Sequence, residues 1–516
     1  MTPLLPIGAG SLSFALDSVS VPYLFLFGVV WTVSGLYSLV TTPRGARGRI
    51  FAYYLPSAIG GITVALAADA ISFYLCFALM ALPAWGLITA GGTSEGRRAG
   101  AIYLTLTVTG EALLLAALAL MAVEAGGLRL DMLVTAMAAS PVRDLATGLL
   151  LASIALKIGT LPASGILPLS YAYAPAGPAS ALAGASAKVG ALAMLRLLPA
   201  GVMPENWAAV VMLAGLATAF GAAALGILTT TPRAVLGYSS ASQMGLVLIA
   251  AGAGLADPAA VPLSHAAIIA FSLHHGLAKS ALVLGDDIVA RTEGRARSLA
   301  LAGLALPALA LVGAPLTSGF VAKYALKDAV YALSGAVPHA VYSLLPWAAV
   351  GTAGLMIRFF ILTARHAQAA PDTRHRTPVA LWGGMLVLVA VTCWAWPATW
   401  NHHAIEAVLD PRALLTATWP ALVALGLTAV VRQTRGVFAR LDGALAPGDI
   451  LVTGARLVRA ANAALPSRKP SERVTAETGP QAGRPLLGVE ERLVTWVTAS
   501  TLFVLLAVAL VLLATR

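Results

Sequence analysis

Six lysines occur in the chain, and five of them, Lys157, Lys188, Lys279, Lys323 and Lys327, fall inside strongly apolar stretches. A lysine at the centre of a membrane helix costs roughly 2.5–3.5 kcal/mol on insertion scales, so such placements call for a reason. One reason is snorkelling, in which the ammonium follows its apolar stem to the interface. That is expected for Lys327, beside Asp328, and for Arg196 at a helix end. The other reason is proton transfer. Burial favours the neutral amine and a nearby carboxylate favours the ammonium, so a partner that approaches or retreats loads or unloads a proton. Lys188, deep within ALAGASAKVGALAML, suits that chemistry. Glu111, within LTVTGEALLLAAL, is the most deeply placed carboxylate and the natural partner for Lys157; its alternative role is a hydrogen-bonded packing group. His275 and Lys279 stand at i and i+4 and share a helical face, with Asp286 or Asp287 two turns further on. Histidine titrates near neutrality and can receive and release protons at different nitrogens, which suits a relay beside a lysine. His274 is expected to point elsewhere and to be structural.

The elements that hold these residues follow from composition. The 516 residues are 59% hydrophobic and 11% charged, with a mean hydropathy of +0.85, whereas soluble domains carry roughly 25% charged residues. This excludes a water-soluble enzyme, a disordered chain and a nucleic-acid binder, and predicts an all-α polytopic membrane protein. Windows of about 20 apolar residues predict about fourteen transmembrane helices, near 19–41, 50–68, 70–91, 98–125, 144–162, 174–199, 207–231, 233–256, 261–288, 298–334, 339–364, 378–398, 412–432 and 491–514. The tenth is too long for one straight span and contains Pro315 and Gly319, so it is expected to be broken. The first ten residues lack the layout of a cleaved signal peptide.

Cytoplasmic loops should be rich in Lys and Arg. Assigning loops alternately puts 22 of the 33 basic residues on one face and four on the other, which predicts both termini outside and makes the net charge of +11 mostly a topology signal. Segment 433–490 is the one long polar stretch. Its first half reads either as an amphipathic helix lying along the membrane or as part of a plain cytoplasmic connection, and PSRKPSERVTAETGPQAGRP reads as linker. The expected organisation is an N-terminal region with the first helix (1–49), two repeat regions (50–199 and 207–364), two further helices (378–432), the polar segment (433–490) and a terminal helix (491–516).

Cys76 and Cys393 lie in apolar runs, with no CxxC and no metal-ligand spacing, and GxGxxG and GxxxxGK[ST] are absent. No cofactor or metal is therefore expected in this chain, and an ion gradient or a partner subunit must drive any work it does.

A repeat is legible. TLPASGILP after Lys157 and APLTSGFVAK around Lys323 both place a proline before a Ser-Gly pair in an apolar segment. Helix breaks at matching positions of two halves point to a transporter-type site. The offset is 166 positions from Lys157 to Lys323, 170 from Lys188 to Arg358 and 164 from Glu111 to His275. Units with an odd number of spans would be inverted with respect to each other.

The stretch LKIGTLPASGILPLSYAYAPAGPASALAGASAKVGALAMLRL, followed in order by PRAVLGYSSASQMGLVLIA, HHGLAKSALVLG and PLTSGFVAK, resembles the antiporter-like proton-translocating membrane subunits shared by respiratory complex I, Mrp-type cation/proton antiporters and membrane-bound hydrogenases. The similarity runs from about residue 17 to residue 364. It implies two inverted five-helix repeats, each with a broken helix, and a polar axis along the membrane midplane. By the same resemblance Lys157 matches the lysine on the first broken helix and Lys188 the central lysine of the next span. His275 and Lys279 match the second half's His and Lys, and Lys323 the terminal acid-or-lysine site. Adding Glu111 from its place in an apolar run and Arg358 from the repeat offset, the expected proton relay is Glu111, Lys157, Lys188, His275, Lys279, Lys323 and Arg358. The polar segment before the last span resembles a lateral helix that clasps neighbouring subunits.

Three features depart from the pattern. The family's glutamate in FYLCFALMALPAWG falls at Ala78, the frequent histidine of SSASQMG is Gln243, and about two helices found ahead of this region in many relatives are missing. The implied function is a proton-translocating subunit of a complex of the NADH-quinone oxidoreductase or membrane-bound hydrogenase type, in a bacterial plasma (inner) membrane. Its partners would be other membrane subunits, membrane lipid, and either a redox arm or a soluble zinc protein. The alternatives are a gradient-consuming coupling subunit, in inorganic-carbon uptake or Mrp-like exchange, and a non-conducting structural subunit.

Overall fold

The computed structural model describes residues 2–6, 12–365, 376–395 and 406–433. These are helical apart from an antiparallel hairpin of β1 (Thr2–Pro6) and β2 (Ser13–Leu16) ahead of the first span, an exception to the all-α expectation. Among the described residues eleven helices are long and apolar enough to cross a membrane, or twelve if one bent pair counts as a span. The expected last span at 491–514 and, from residue 434 on, the polar segment 433–490 lie outside the described residues.

The spans begin with α1 (Ser20–Thr41), α2 (Arg44–Thr63), α3 (Ala70–Ala81) continued by α4 (Ala84–Thr89), and α5 (Ser94–Ala125). Local chemistry sets their ends. Asp69 caps α3 by accepting from Ser72 N at 2.8 Å, and it also accepts from the Ser13 backbone at 2.6 Å, which ties β2 to the helix. Burial alone would raise the Asp69 carboxyl, but donors from Ser72 and Ser13 hold it below its ordinary value. Thr93 caps α5, which ends at the left-handed Gly126.

A short α6 (Leu130–Met137) leads to α7 (Arg143–Ile158), which stops at Gly159, at φ +73°. The chain resumes as α8 (Ile166–Tyr173), and the two pieces bend by 40°. The sequence reading located this break but not the helix beyond it. Next come α9 (Ala176–Ala181), one π-helical turn over Leu182–Ser186, and α10 (Ala187–Leu197), which together form one span.

Three long helices follow: α11 (Glu205–Leu228), α12 (Pro232–Ala256) and α13 (Val261–Arg291). The expected tenth span is divided into α14 (Gly294–Gly303), α15 (Ala305–Val312) and α16 (Ser318–Tyr331), with the break at Gly313, at φ +88°. The remaining helices are α17 (Ala336–Arg365), α18 (Arg376–Ala395) and α19 (Pro411–Gln433).

The 18-residue apolar windows of α12 and α13 are 100% buried and that of α9–α10 is 94% buried, against 44% for α1 and 39% for α2. The helices that carry Lys188 and Lys279 are therefore among the inner ones. Hydroxyls join them: Ser34 donates to Ser180 at 2.9 Å, and Ser180 meets Ser280 at 2.5 Å, linking α1, α9 and α13. Backbones also touch. A Cβ on Gly276 would lie 2.7 Å from the Gly184 carbonyl oxygen, so the π turn and α13 cross at a distance only glycines allow.

Candidate ion-translocation site

The first polar group lies where α3, α5, α7 and α8 meet. Glu111 and Lys157 line one cavity of about 20 Å³, enough for a single water. Both carboxylate oxygens of Glu111 and the Nζ of Lys157 are buried without a hydrogen-bond partner among the described residues. The Lys157 ammonium stands 4.9 Å from the centroid of the Phe77 ring, a cation–π contact. The α3 residue that meets Lys157 is thus Phe77; Ala78 is half-buried and does not line the cavity. Sequence reasoning missed Phe77 because nothing in its local pattern separates it from other core aromatics.

The central group lies between α10 and α13. Lys188 is wholly buried and its Nζ donates to the Ala183 carbonyl at 2.5 Å, inside the π turn. Single π turns of this kind often mark functional positions. Lys279 is wholly buried and donates to the Leu236 carbonyl on α12 at 2.9 Å. His275 lies in electrostatic reach of both lysines, and neither of its ring nitrogens has a hydrogen-bond partner among the described residues. The Gly184–Gly276 crossing brings these groups together, because Lys188 follows Gly184 by one turn and His275 adjoins Gly276. His274 lies in electrostatic reach of Lys323 as well as of Lys188 and Lys279; its Nδ1 is 2.9 Å from the Ser318 hydroxyl at the start of α16, and its Nε2 has no hydrogen-bond partner among the described residues.

The third group is at the second break. Lys323 donates to the Val312 carbonyl at 2.6 Å. Val312 ends α15, where helix carbonyls lack intrahelical partners and the dipole favours a cation. Lys323 also lines a cavity of about 400 Å³ between α16, α17 and α19, whose polar walls include Lys327, Asp328, Asp410 and Arg412. Lys327 therefore faces a polar vestibule. Gln243 donates to the Thr352 hydroxyl at 2.7 Å, joining α12 to α17.

Other expected residues have different settings. Arg196 does not snorkel: its side chain is 7% exposed and makes a two-pronged ion pair with Asp17, at 2.5 and 2.8 Å. Burial pushes Asp17 up, but the hydrogen bonds and charge of Arg196 and the donors of Ser20 outweigh it and lower the carboxyl to about 2. Asp286 and Asp287 are bound into a cluster with Arg233 (3.3 and 3.5 Å) and Arg291 (2.6 Å), closed by Thr363 and Tyr37. Arg358 donates to the Thr229 carbonyl at the end of α11, at 3.0 and 3.2 Å. Among the described residues no group of three or more His, Cys, Asp or Glu is placed to hold a metal ion.

Three lysines held by single backbone carbonyls, with no carboxylate within 4.0 Å among the described residues, can exchange a proton without breaking an ion pair. Residues 67–345 match the family model described as NADH:quinone oxidoreductase/Mrp antiporter, TM. The chain belongs to this family. Within it, the chain is 30% identical over 364 residues to NADH-quinone oxidoreductase subunit N of Cereibacter sphaeroides, covering 68% of this chain and 78% of that one. It is 24% identical over 463 residues to hydrogenase-4 component B of Escherichia coli, covering 82% and 68%. The Mrp complex from Dietzia sp. DQ12-45-1b shares the fold, with a TM-score of 0.71 at 22% identity over 95% of this chain and 56% of that one. The chain thus spans little more than half the length of that Mrp chain. The archaeal membrane-bound sulfane sulfur reductase (MBS) gives a TM-score of 0.64 at 17% identity, covering 80% and 86%. These findings make the chain an antiporter-like, multi-pass membrane protein.

Proposed function

We propose that this chain is a proton-translocating subunit of a multi-subunit membrane complex, and that Glu111, Lys157, Lys188, His275, Lys279 and Lys323 are its stations. One observation carries the reading: His275, whose two ring nitrogens have no hydrogen-bond partner among the described residues, lies in electrostatic reach of two buried lysines that donate to backbone carbonyls. An ammonium so held in a low dielectric gives up its proton more readily than one in an ion pair. Arg358 enters as a fixed charge, since arginine keeps its proton. The two broken helices support the inverted repeats over 50–199 and 207–364, and the cavity beside Lys323 supports an aqueous end to the route.

The partners would be further membrane subunits, as the names of the relatives suggest, in a bacterial inner membrane with both termini outside. A redox arm would make the chain a pump subunit; a soluble zinc protein or small antiporter subunits would make it a consumer of the gradient. Isolation from the native membrane with mass spectrometry of stoichiometric partners separates these. A non-conducting structural role is favoured by Ala78 and Gln243, which cannot carry protons where the family has titratable groups. Lys279→Met decides between the readings. In the whole complex reconstituted into vesicles under an imposed K⁺ potential, we expect proton flux at least tenfold lower at unchanged assembly. Wild-type flux would leave the structural role.

A further inference from the structure

The route through Lys188 and His275 is not the only polar connection between the two halves. Tyr171, on the second piece of the first broken helix, lines the cavity that holds Glu111 and Lys157. It is wholly buried, and its hydroxyl has no hydrogen-bond partner among the described residues. Leaving such a group unpaired is costly, and phenylalanine would fill the same space without it.

Across the interface stands Ser240 on α12, also wholly buried and also without a partner among the described residues. The two hydroxyls are in interaction range, although they do not close a bond of regular geometry. The backbone forces this meeting. A Cβ on Gly237 would lie 2.3 Å from Pro168 Cα, so α8 and α12 are in direct contact there. Tyr171 is three residues beyond Pro168 and Ser240 three beyond Gly237, so each lies about one turn from the contact. On the same strip of α12, one turn before Ser240, is Leu236, whose carbonyl holds the Lys279 ammonium. The strip of α12 that faces Tyr171 thus also carries the seat of Lys279, and it includes neither Lys188 nor His275.

We infer that Tyr171 and Ser240 form a second crossing between the halves, passing protons from the Glu111–Lys157 cavity to Lys279 in parallel with the Lys188–His275 route. The Lys157 ammonium releases a proton to the Tyr171 oxygen, directly or through a water in the cavity. The phenol passes its own hydroxyl proton to Ser240, and Ser240 passes its proton to the neutral amine of Lys279. Each hydroxyl ends with as many protons as it began with, and rotation about the C–O bonds resets the chain. The crossing rests on the relay reading above.

The test is a set of variants in the whole complex, reconstituted as above, with internal pH followed by a trapped fluorescent dye. Tyr171→Phe and Lys188→Met should each lower flux two- to fivefold, and together should lower it to the level of Lys279→Met. Ser240→Ala should add nothing to Tyr171→Phe, and Ser240→Thr should retain wild-type flux. If Tyr171→Phe changes flux in neither the wild-type nor the Lys188→Met background while Lys279→Met stops it, the crossing is wrong and the relay stands. If Lys279→Met transports normally, the relay itself fails. Should Tyr171→Phe not assemble, Ser240→Ala in the Lys188→Met background carries the same test, with unchanged flux overturning the crossing.

Discussion

Adding one methyl group to Gly276 tests whether the helix crossing, and not only the titratable residues, sets transport. The new Cβ would lie 2.7 Å from the Gly184 carbonyl oxygen and 2.7 Å from Leu26 Cδ1, whereas ordinary contact begins at 3.4 Å. Leu26 is a side chain and can yield. The carbonyl is backbone, so the π turn and α13 must part by roughly 0.7 Å, the shortfall from ordinary contact. Overpacking of this kind costs about 1–3 kcal/mol, visible as a lower melting temperature in detergent. It also separates Lys188 from His275. A misplacement of about 1 Å costs on the order of a hundredfold in a positioned reaction, so 0.7 Å should slow this leg by about 25-fold. Flux in reconstituted vesicles should then fall to what the Tyr171–Ser240 crossing carries, the level of Lys188→Met. A Gly276→Ala complex that melts earlier yet transports protons at the wild-type rate would refute the reasoning, because the crossing would then matter for stability alone.

The Asp17–Arg196 pair gives a pH-dependent prediction. Asp17→Asn leaves a buried guanidinium without its counter-ion and should destabilise the protein by about 3 kcal/mol near neutral pH. Because the Asp17 carboxyl is lowered from 3.8 to about 2, the pair's contribution is full above pH 3.8 and is lost as pH falls through 2. The melting difference between wild type and variant should therefore shrink in that window, and a difference constant down to pH 2 would contradict the pairing. In the second ionic cluster, Arg233→Gln removes the guanidinium that Asp286 and Asp287 share, while Asp287 keeps Arg291, and adding Asp286→Asn removes one of the two negative charges. The double variant should recover about 1 kcal/mol or more of the single variant's loss in chemical denaturation, and simple additivity would count against the cluster.

Much of this was legible beforehand because membrane insertion is a local test. Apolar runs marked the spans, both helix breaks were visible from proline beside Ser-Gly, and the lysines stood out against their surroundings. The count of spans and the helix after Pro162 were less legible, since one broken helix and two short neighbouring helices give the same hydropathy. Arg196 illustrates the other limit. A basic residue at a helix end reads as interfacial, and its partner Asp17 lies 179 positions away, beyond any periodicity.

The sequence by itself determined that this is a polytopic membrane chain of the antiporter family, which residues carry expensive charges into it, and where its helices break. The spans and the charges depend on the cost of putting one side chain into hydrocarbon, and the breaks on proline and glycine in the backbone, all of which act locally. The tertiary structure alone decided what each charge faces: Phe77 under Lys157, carbonyls of a π turn and a broken helix for Lys188 and Lys323, and Tyr171 across from Ser240. Those partners are set by helix crossings such as Gly184 on Gly276 and Pro168 on Gly237. Whether two backbones can approach that closely depends on surfaces far apart in the chain.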